Sequence, residues 1–439
     1  MPNHKKLHLV SLGCTKNLVD SEVMLGRLRE YEITDDNTNA DVIIVNTCGF
    51  IDAAKEESIN TVLSLHDERK KDSILVMSGC LTERYKEELQ ADMPEIDIFT
   101  GVGDYEKIDK LIASKQSTFS PEVYLATETS GRVITGSNYH AYIKIAEGCN
   151  QACSFCAIPS FKGKLHSRSL SSIVKEVNNL VAEGFRDFSF ISQDSSSYGR
   201  DMELKDGLID LISAVEAIDG VKSARILYLY PSTTTFALID AISDSNIFQT
   251  YYDMPIQHID DTVLKSMKRG FGETKTIELL DYMKSKPNAF LRTSVIAGHP
   301  GESEESFQKL CDFMKTFEFD RFNTFHYSNE ETTSAYMMDQ IAQETIDERA
   351  NILGEIAEIS TLNSLKNMLG ETITIIIDGE SDEHEYLLSA RPLRWAVDID
   401  GEILVNDTSD LPVEYGKTYE AKVTELVGQQ LLATLIKAL

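Results

Sequence analysis

The sequence predicts an α/β protein built from three parts: a parallel-sheet α/β domain, a larger βα barrel and a small antiparallel β-barrel. Apolar strand-like segments alternate with amphipathic helical segments through most of the chain, which is typical of parallel sheets. Short alternating strands without helices between them fill residues 367–439. At 439 residues the chain exceeds what one hydrophobic core usually fills, so several domains are expected.

The first domain, residues 1–116, repeats strand–helix units. The apolar stretches "KKLHLVSLGC", "ADVIIVNTCGF" and "DSILVMSGC" each precede a helix with apolar residues three or four apart, and each ends at a cysteine: Cys14, Cys48 and Cys80. Parallel strands end on one edge of a sheet, where ligands usually bind, so these thiols are expected to converge. Three buried cysteines acting as small apolar side chains are the alternative. The adjacent glycines favour a metal site, because glycine lets the backbone approach a bulky group.

Residues 117–134 mix small polar residues with proline and glycine without a sustained period, which indicates a linker. Larger βα units follow over residues 135–366 and predict a full or partial TIM-like barrel with its chemistry at the carboxyl ends of the strands. The loop "EGCNQACSFCAIP" (147–159) follows the first of these strands directly. Its three cysteines are therefore expected on the active face: Cys149, Cys153 and Cys156.

Three thiols in one short loop point to iron and sulfur more than to zinc. A closed zinc site takes four ligands, and since no fourth cysteine is nearby, His140 or His166 would have to complete it. An iron–sulfur cube has four iron corners, so three thiolates hold three corners and leave the fourth open to a substrate. Zinc stays as the alternative.

Polar residues at other strand ends of the barrel are further candidates for binding. Gln193 and Asp194 end "FSFISQD", and Gln257 and His258 end "MPIQH". Arg168 follows the cysteine loop, where its guanidinium is a candidate to meet a carboxylate of a bound cofactor or substrate. Hydrogen-bonded loop residues and a solvated basic loop are the alternatives.

Residues 367–439 predict a small OB-like β-barrel of antiparallel strands. Residues 371–439 hold 14 Asp and Glu against five Lys and Arg, a net charge of −9, and the whole chain carries −29. Gripping RNA requires clustered cations, so this barrel is poorly suited to RNA and better suited to a basic protein. Trp395, the single tryptophan, is either a core residue or a partner contact.

The pattern Cys-x-x-x-Cys-x-x-Cys after the first strand of a parallel barrel, with Phe155 before the third cysteine, resembles the radical S-adenosylmethionine (SAM) superfamily. The resemblance implies a 4Fe-4S cluster whose open iron binds SAM, and SAM cleavage to a radical that takes hydrogen from an unactivated carbon. "SVIAGHPGESEESF" (294–307) is similar to a glycine-bearing strand near the adenosyl group in that superfamily. This similarity implies cofactor contact at Gly298 and Gly301; a turn and helix start is the alternative.

Together with the upstream cysteines and the C-terminal barrel, the chain resembles the methylthiotransferase branch of this superfamily along nearly its whole length. The branch holds a second 4Fe-4S cluster on its upstream cysteines, which implies that role for Cys14, Cys48 and Cys80. It uses SAM as both methyl donor and radical source, and its C-terminal barrel is a TRAM domain. "VSLGCTKNLVDSE" (10–22) and "ISQDSSSYG" (191–199) are similar to members that act on ribosomal protein uS12, except that Thr15 replaces a usual proline.

The resemblance implies methylthiolation of the β-carbon of an aspartate in uS12. The expected partners are uS12, free or in the small ribosomal subunit, and an external electron donor, with neither tRNA nor a membrane. A cytoplasmic protein is expected, since the sequence has no run of 18 apolar residues and no signal-peptide cleavage site. A monomer is expected as well. The alternatives are a tRNA methylthiotransferase, an iron–sulfur electron carrier and a zinc-bearing nucleic-acid binder. The charge argues against the nucleic-acid binders, and the large barrel argues against a carrier.

Overall fold

The structure is a computed structural model that describes residues 5–381 and 386–439. Its N-terminal part is a parallel sheet of five strands in the order β2-β1-β3-β4-β5. The strands are β1 (Lys6–Ser11), β2 (Glu32–Ile33), β3 (Val42–Thr47), β4 (Ile74–Gly79) and β5 (Ile98–Phe99), and the helices are α1 (Thr15–Arg27), α2 (Asp52–Glu68), α3 (Cys80–Arg84), α4 (Lys86–Asp92) and α5 (Ile108–Ser114). Successive residues of β3 pack into two different apolar clusters, so both faces of the sheet are covered, as parallel sheets require.

The central part is an open, partial βα barrel. Two parallel sheets, β6-β9-β10 and β11-β12-β13, are joined through a bridge between Ala224 and Phe248. The strands are β6 (His140–Lys144), β7 (Ala146–Glu147), β8 (His166–Ser167), β9 (Asp187–Ile191), β10 (Ser223–Ile226), β11 (Tyr251–Asp253), β12 (Phe290–Ala297) and β13 (Arg321–His326), of which β7 and β8 form a separate antiparallel pair. The helices are α6 (Ile158–Lys162), α7 (Leu170–Glu183), α8 (Gly207–Glu216), α9 (Phe236–Asp244), α10 (Asp261–Ser266), α11 (Glu273–Lys284), α12 (Glu304–Phe317) and α13 (Gln343–Asn367).

The C-terminal part is a closed barrel of five strands in the order β14-β15-β16-β18-β17. Its strands are β14 (Thr372–Glu380), β15 (Leu388–Pro392), β16 (Ile403–Asp407), β17 (Thr418–Val427) and β18 (Gln430–Ala438). The neighbouring strands are antiparallel, as expected, except that β16 and β18 run parallel. Closure leaves no open sheet edge among these strands.

The C-terminal barrel is docked on the amino ends of the central strands. Trp395 is buried against Phe290, the first residue of β12, so it serves in packing between domains. Arg391 forms a buried ion pair of 2.6 Å with Asp187, the first residue of β9. The opposite, carboxyl ends of the central strands therefore stay available to the N-terminal domain.

The segment 117–134 contains no helix or strand, yet ion pairs attach it to both neighbouring domains. The side chain of Arg132 is buried and pairs with Glu22 of α1 and Glu176 of α7, at 2.6 Å each. Within the described ranges, no helix is both long enough and apolar enough to cross a membrane.

Candidate active site

One cavity of about 430 Å³ lies where the N-terminal sheet meets the carboxyl ends of the central strands. Six of the seven cysteines line it: Cys14, Cys48, Cys80, Cys149, Cys153 and Cys156. All seven are free thiols, and the seventh, Cys311, is packed in the core of the central domain. Two groups of three thiols from two domains thus share one chamber; we name them the N-terminal triad and the barrel triad.

The N-terminal triad is assembled by three strand-to-helix connections. Cys14 immediately precedes α1, Cys48 follows β3, and Cys80 is the first residue of α3. Gly13 has a φ of +84°, and a Cβ there would stand 2.7 Å from the Cβ of Cys48. Only glycine allows these two connections to approach so closely.

The barrel triad lies in a loop held by backbone hydrogen bonds. The N–H of Ser154 donates to the carbonyl of Met267 at 3.0 Å, and the carbonyl of Ser154 accepts from Ala335 at 2.9 Å. One N–H of Arg269 donates to the Sγ of Cys153 at 3.3 Å. The loop is therefore fixed on both sides, with a cation beside one of its sulfurs.

The buried thiols of this cavity stay protonated in the absence of a bound cation. Burial raises the pKa of Cys48 to about 11, and that of Cys80, Cys149 and Cys156 to about 12, so these thiols ionise only when a cation stabilises the thiolate. Among residues 5–381 and 386–439, no three His, Cys, Asp or Glu side chains are close enough to hold one metal ion. A cube requires less convergence, because each thiolate binds a separate iron corner.

The two histidines considered as zinc ligands do not line the cavity. His140 is buried in the central domain, where its Nε2 lies 2.9 Å from the hydroxyl of Ser189, and His166 is exposed on β8.

Buried charges join the two domains at the cavity wall. The ammonium of Lys144 lies 2.5 Å from Asp20 of α1 and 2.7 Å from Glu147 of β7, and Lys162 lies 3.4 Å from Asp20. Burial by itself raises the pKa of Glu147, but the ammonium groups of Lys144 and Lys162 outweigh it and hold that pKa well below its ordinary value. The carboxylate of Glu147 is therefore ionised, and its negative charge is compensated by the two ammonium groups.

Of the four non-cysteine residues expected at the cofactor, the structure brings one to the cavity. Gln193 lines it and donates to Glu147, while its side-chain oxygen has no partner among the described residues. Arg168 is buried away from the cavity in a pair with Glu176. Gly298 packs against α13 and Gly301 lies in the turn before α12; neither lines the cavity.

Among the other strand-end candidates, Gln257 lines the cavity, and its side-chain oxygen lacks a partner within the described part of the chain. Asp194 instead accepts hydrogen bonds from Gln151 and Ser197, and His258 is buried beside Glu302. The hydrogen-bonded alternative thus describes Asp194.

Sequence reasoning missed several polar residues of the cavity. They are Lys16, Lys162, Tyr228, Tyr230, Arg269 and Arg292. Tyr228 and Tyr230 stand just past β10 in "LYLYP", so the strand-end rule that selected Gln193 also covers them. Tyr228 and Gln257 both have positive φ, at +63° and +70°, a conformation that is costly for such residues and tends to occur at functional sites.

Comparisons with known sequences agree with the three parts. Residues 6–101 match the family described as "Uncharacterized protein family UPF0004", residues 143–314 match the radical SAM superfamily, and residues 369–436 match the TRAM domain. A solved structure of the radical S-adenosylmethionine methyltransferase TsrM from Kitasatospora setae shares the fold, with a TM-score of 0.55 at 14% identity over 76% of this chain and 74% of that one. The fold and the cysteine loop define a radical SAM protein that uses iron–sulfur and SAM chemistry.

Full-length relatives narrow the class further. A protein of Sulfurovum sp. (strain NBC37-1) named ribosomal protein uS12 methylthiotransferase RimO is 86% identical over 100% of both chains. A protein of the same name from Aliarcobacter butzleri (strain RM4018) is 63% identical over 99% of this chain and 98% of its own. The chain belongs to the RimO family of radical SAM methylthiotransferases.

Proposed function

We propose that this protein methylthiolates the β-carbon of an aspartate in ribosomal protein uS12, with two 4Fe-4S clusters and with SAM as both methyl donor and radical source. The observation that carries the proposal is the presence of two cysteine triads, from two domains, in one cavity. A reaction that removes hydrogen from a carbon and then adds sulfur to it needs both activities within reach of the same atom.

In this proposal the barrel triad holds the SAM-binding cluster and the N-terminal triad holds the auxiliary cluster. When bound, a cluster reduced by an external donor supplies the electron that cleaves SAM. The chain holds the two triads at the wall of one cavity. Three buried charge clusters fix the N-terminal domain on the barrel: Asp20 with Lys144, Glu22 with Glu176 through Arg132, and Arg84 with Glu330.

The choice of uS12 over tRNA is supported by the names of the relatives and by charge. The C-terminal barrel carries a net charge of −9 over residues 371–439, which repels phosphate backbones and attracts a basic protein. The chain is proposed to act as a monomer.

Incubation of the anaerobically reconstituted enzyme with purified uS12, or with tRNA, tests the proposal. We expect uS12 alone to gain the mass of CH2S in the presence of SAM, a reductant and added sulfide as the sulfur source. A Cys311→Ala variant is the matched control, because Cys311 lies outside the cavity, and it should modify uS12 as the wild type does. Modified tRNA with unmodified uS12 would contradict the proposal.

A further inference from the structure

We propose that Lys16 forms the subsite that binds the carboxylate of the substrate side chain. The inference rests on the proposed function, since it concerns how an aspartate is selected. It begins from the charges that line the cavity: Lys16, Lys162, Arg269 and Arg292.

Three of these four cations are already engaged by groups of the chain. Lys162 lies 3.4 Å from Asp20 and 3.6 Å from Glu147. Arg292 pairs with Asp253 at 3.0 Å, and Arg269 donates to the Sγ of Cys153. Within the described residues, Lys16 makes no hydrogen bond and no ion pair, although only 9% of its surface is exposed.

The Lys16 ammonium instead lies 3.3 Å from the centre of the Tyr228 ring. The hydroxyl of the same tyrosine lies 3.3 Å from the hydroxyl of Thr15. A cation–π contact offsets part of the cost of burying an ammonium group, but it leaves the hydrogen-bond donors of the ammonium unused. The arrangement therefore holds a positive charge in place and leaves it able to accept an anion.

The position of Lys16 suits a carboxylate that accompanies the reacting carbon. Lys16 lies two residues after Cys14 of the N-terminal triad, and its partner Tyr228 follows β10 of the barrel, so their contact bridges the two halves of the cavity. The carbon that loses hydrogen and gains sulfur must lie between the triads. In an aspartate, the carboxylate is one bond from that carbon, so its counter-charge belongs at this junction.

Other anions compete for the same cation, notably the carboxylate of SAM and the thiolate of Cys14. Each alternative predicts that loss of Lys16 affects every peptide substrate equally. Only a subsite for the substrate side chain predicts an effect that depends on whether that side chain is charged.

Peptides with the uS12 sequence around the target aspartate, with either Asp or the isosteric, neutral Asn at the target position, make this distinction. Their binding to the reconstituted full-length enzyme is measured by fluorescence anisotropy in the presence of SAM. We expect the wild type to bind the Asp peptide at least about 30-fold more tightly than the Asn peptide, as for a desolvated charge pair. The Lys16→Met variant should bind the Asp peptide more weakly than the wild type does, by a similar factor, while its affinity for the Asn peptide should be unchanged.

The matched control is Lys110→Met, which removes an exposed lysine from α5 of the same domain and should leave both affinities unchanged. Equal binding of the Asp and Asn peptides by the wild type would overturn the inference, whatever the variants do. Equal weakening of both peptides in Lys16→Met would also overturn it, in favour of a competing anion. Failure of the wild type to methylthiolate the Asp peptide is a separate result, because it counts against the proposed function and not against the charge selectivity.

Discussion

Arg269 shows how single side chains prepare the barrel triad. One N–H of its guanidinium donates to the Sγ of Cys153 at 3.3 Å, and the group stacks 4.2 Å from the centre of the Tyr230 ring. The Tyr230 hydroxyl lies 3.5 Å from the same sulfur. In the proposed function Cys153 ligates a cluster, and hydrogen bonds to a ligating sulfur stabilise the added electron of a reduced cluster. Arg269 is therefore expected to ease reduction.

Arg269→Gln tests this role. We expect a more negative reduction potential for the cluster of the barrel triad, and release of 5′-deoxyadenosine slowed by about 10- to 100-fold. Potentiometric titration followed by electron paramagnetic resonance measures the potential, and iron content verifies that the cluster is bound. Tyr230→Phe removes the longer contact and should shift the potential less. An unchanged potential in Arg269→Gln with full iron would refute the role.

At the level of secondary-structure elements, the loop after β13 ties the N-terminal helices to the barrel. Glu330 of this loop is buried and accepts from Arg84 of α3 at 2.6 Å and from Lys55 of α2 at 3.0 Å. Arg84 also donates to the carbonyl of Gly49, next to Cys48. The ion pairs thus connect the domain junction to the N-terminal triad.

Glu330→Gln should lower the free energy of unfolding by about 3 kcal/mol, because it leaves buried cations without their counter-charge. Chemical denaturation followed by circular dichroism measures the change. Glu414→Gln is the matched control: Glu414 pairs with Lys417 at 2.6 Å, but both side chains are exposed, so a change below about 1 kcal/mol is expected. Equal effects of the two substitutions would show that the ion pairs of Glu330 stabilise the protein no more than an exposed ion pair does.

The three domains pack against one another, and the C-terminal barrel covers the amino ends of the central strands. A single apolar cluster includes Val19 of the first domain, Phe290 of the second and Trp395 of the third. Next to it, Asp187 is shared between Arg225 at 3.0 Å and Arg391 at 2.6 Å. His140 is buried beside this group of charges.

Because of His140, the free energy of unfolding is predicted to decrease as the pH is lowered. Burial, assisted by Arg391 and Arg225 and opposed by Asp187, lowers the pKa of His140 to about 3. The unfolded chain takes up this proton below about pH 6.5 and the folded chain does not, so stability is present above that pH and is lost as pH falls towards 3. The loss is about 1.4 kcal/mol for each pH unit below pH 6.

Denaturation of the wild type and of His140→Gln at pH 6.5, 6.0, 5.5 and 5.0 measures the contribution. The free energy of unfolding should depend less steeply on pH in the variant than in the wild type. The difference in slope should correspond to about one proton taken up on unfolding. Parallel curves for the two proteins would show that His140 is protonated in the folded state.

The order of strands and helices and the convergence of the cysteines could be predicted from the sequence, because both depend on local periodicity and on the rule that parallel strands end together. The interaction partners of polar side chains could not be predicted from the sequence. Arg168 looked available, yet it pairs with Glu176 on the following helix, while Lys16 gave no sign that it would meet Tyr228. Such contacts depend on how domains dock, which short patterns do not encode. The parallel pairing of β16 with β18 likewise joins strands that are not consecutive in the chain.

Iron content of three proteins tests most directly the claim that two triads hold two clusters. After anaerobic reconstitution, the wild type should bind about eight irons per chain, as expected for two 4Fe-4S clusters. The triple alanine variant of Cys14, Cys48 and Cys80 should bind about four and still cleave SAM, while that of Cys149, Cys153 and Cys156 should bind about four and not cleave it. Four irons in the wild type, or no loss of iron on removal of either triad, would contradict the account.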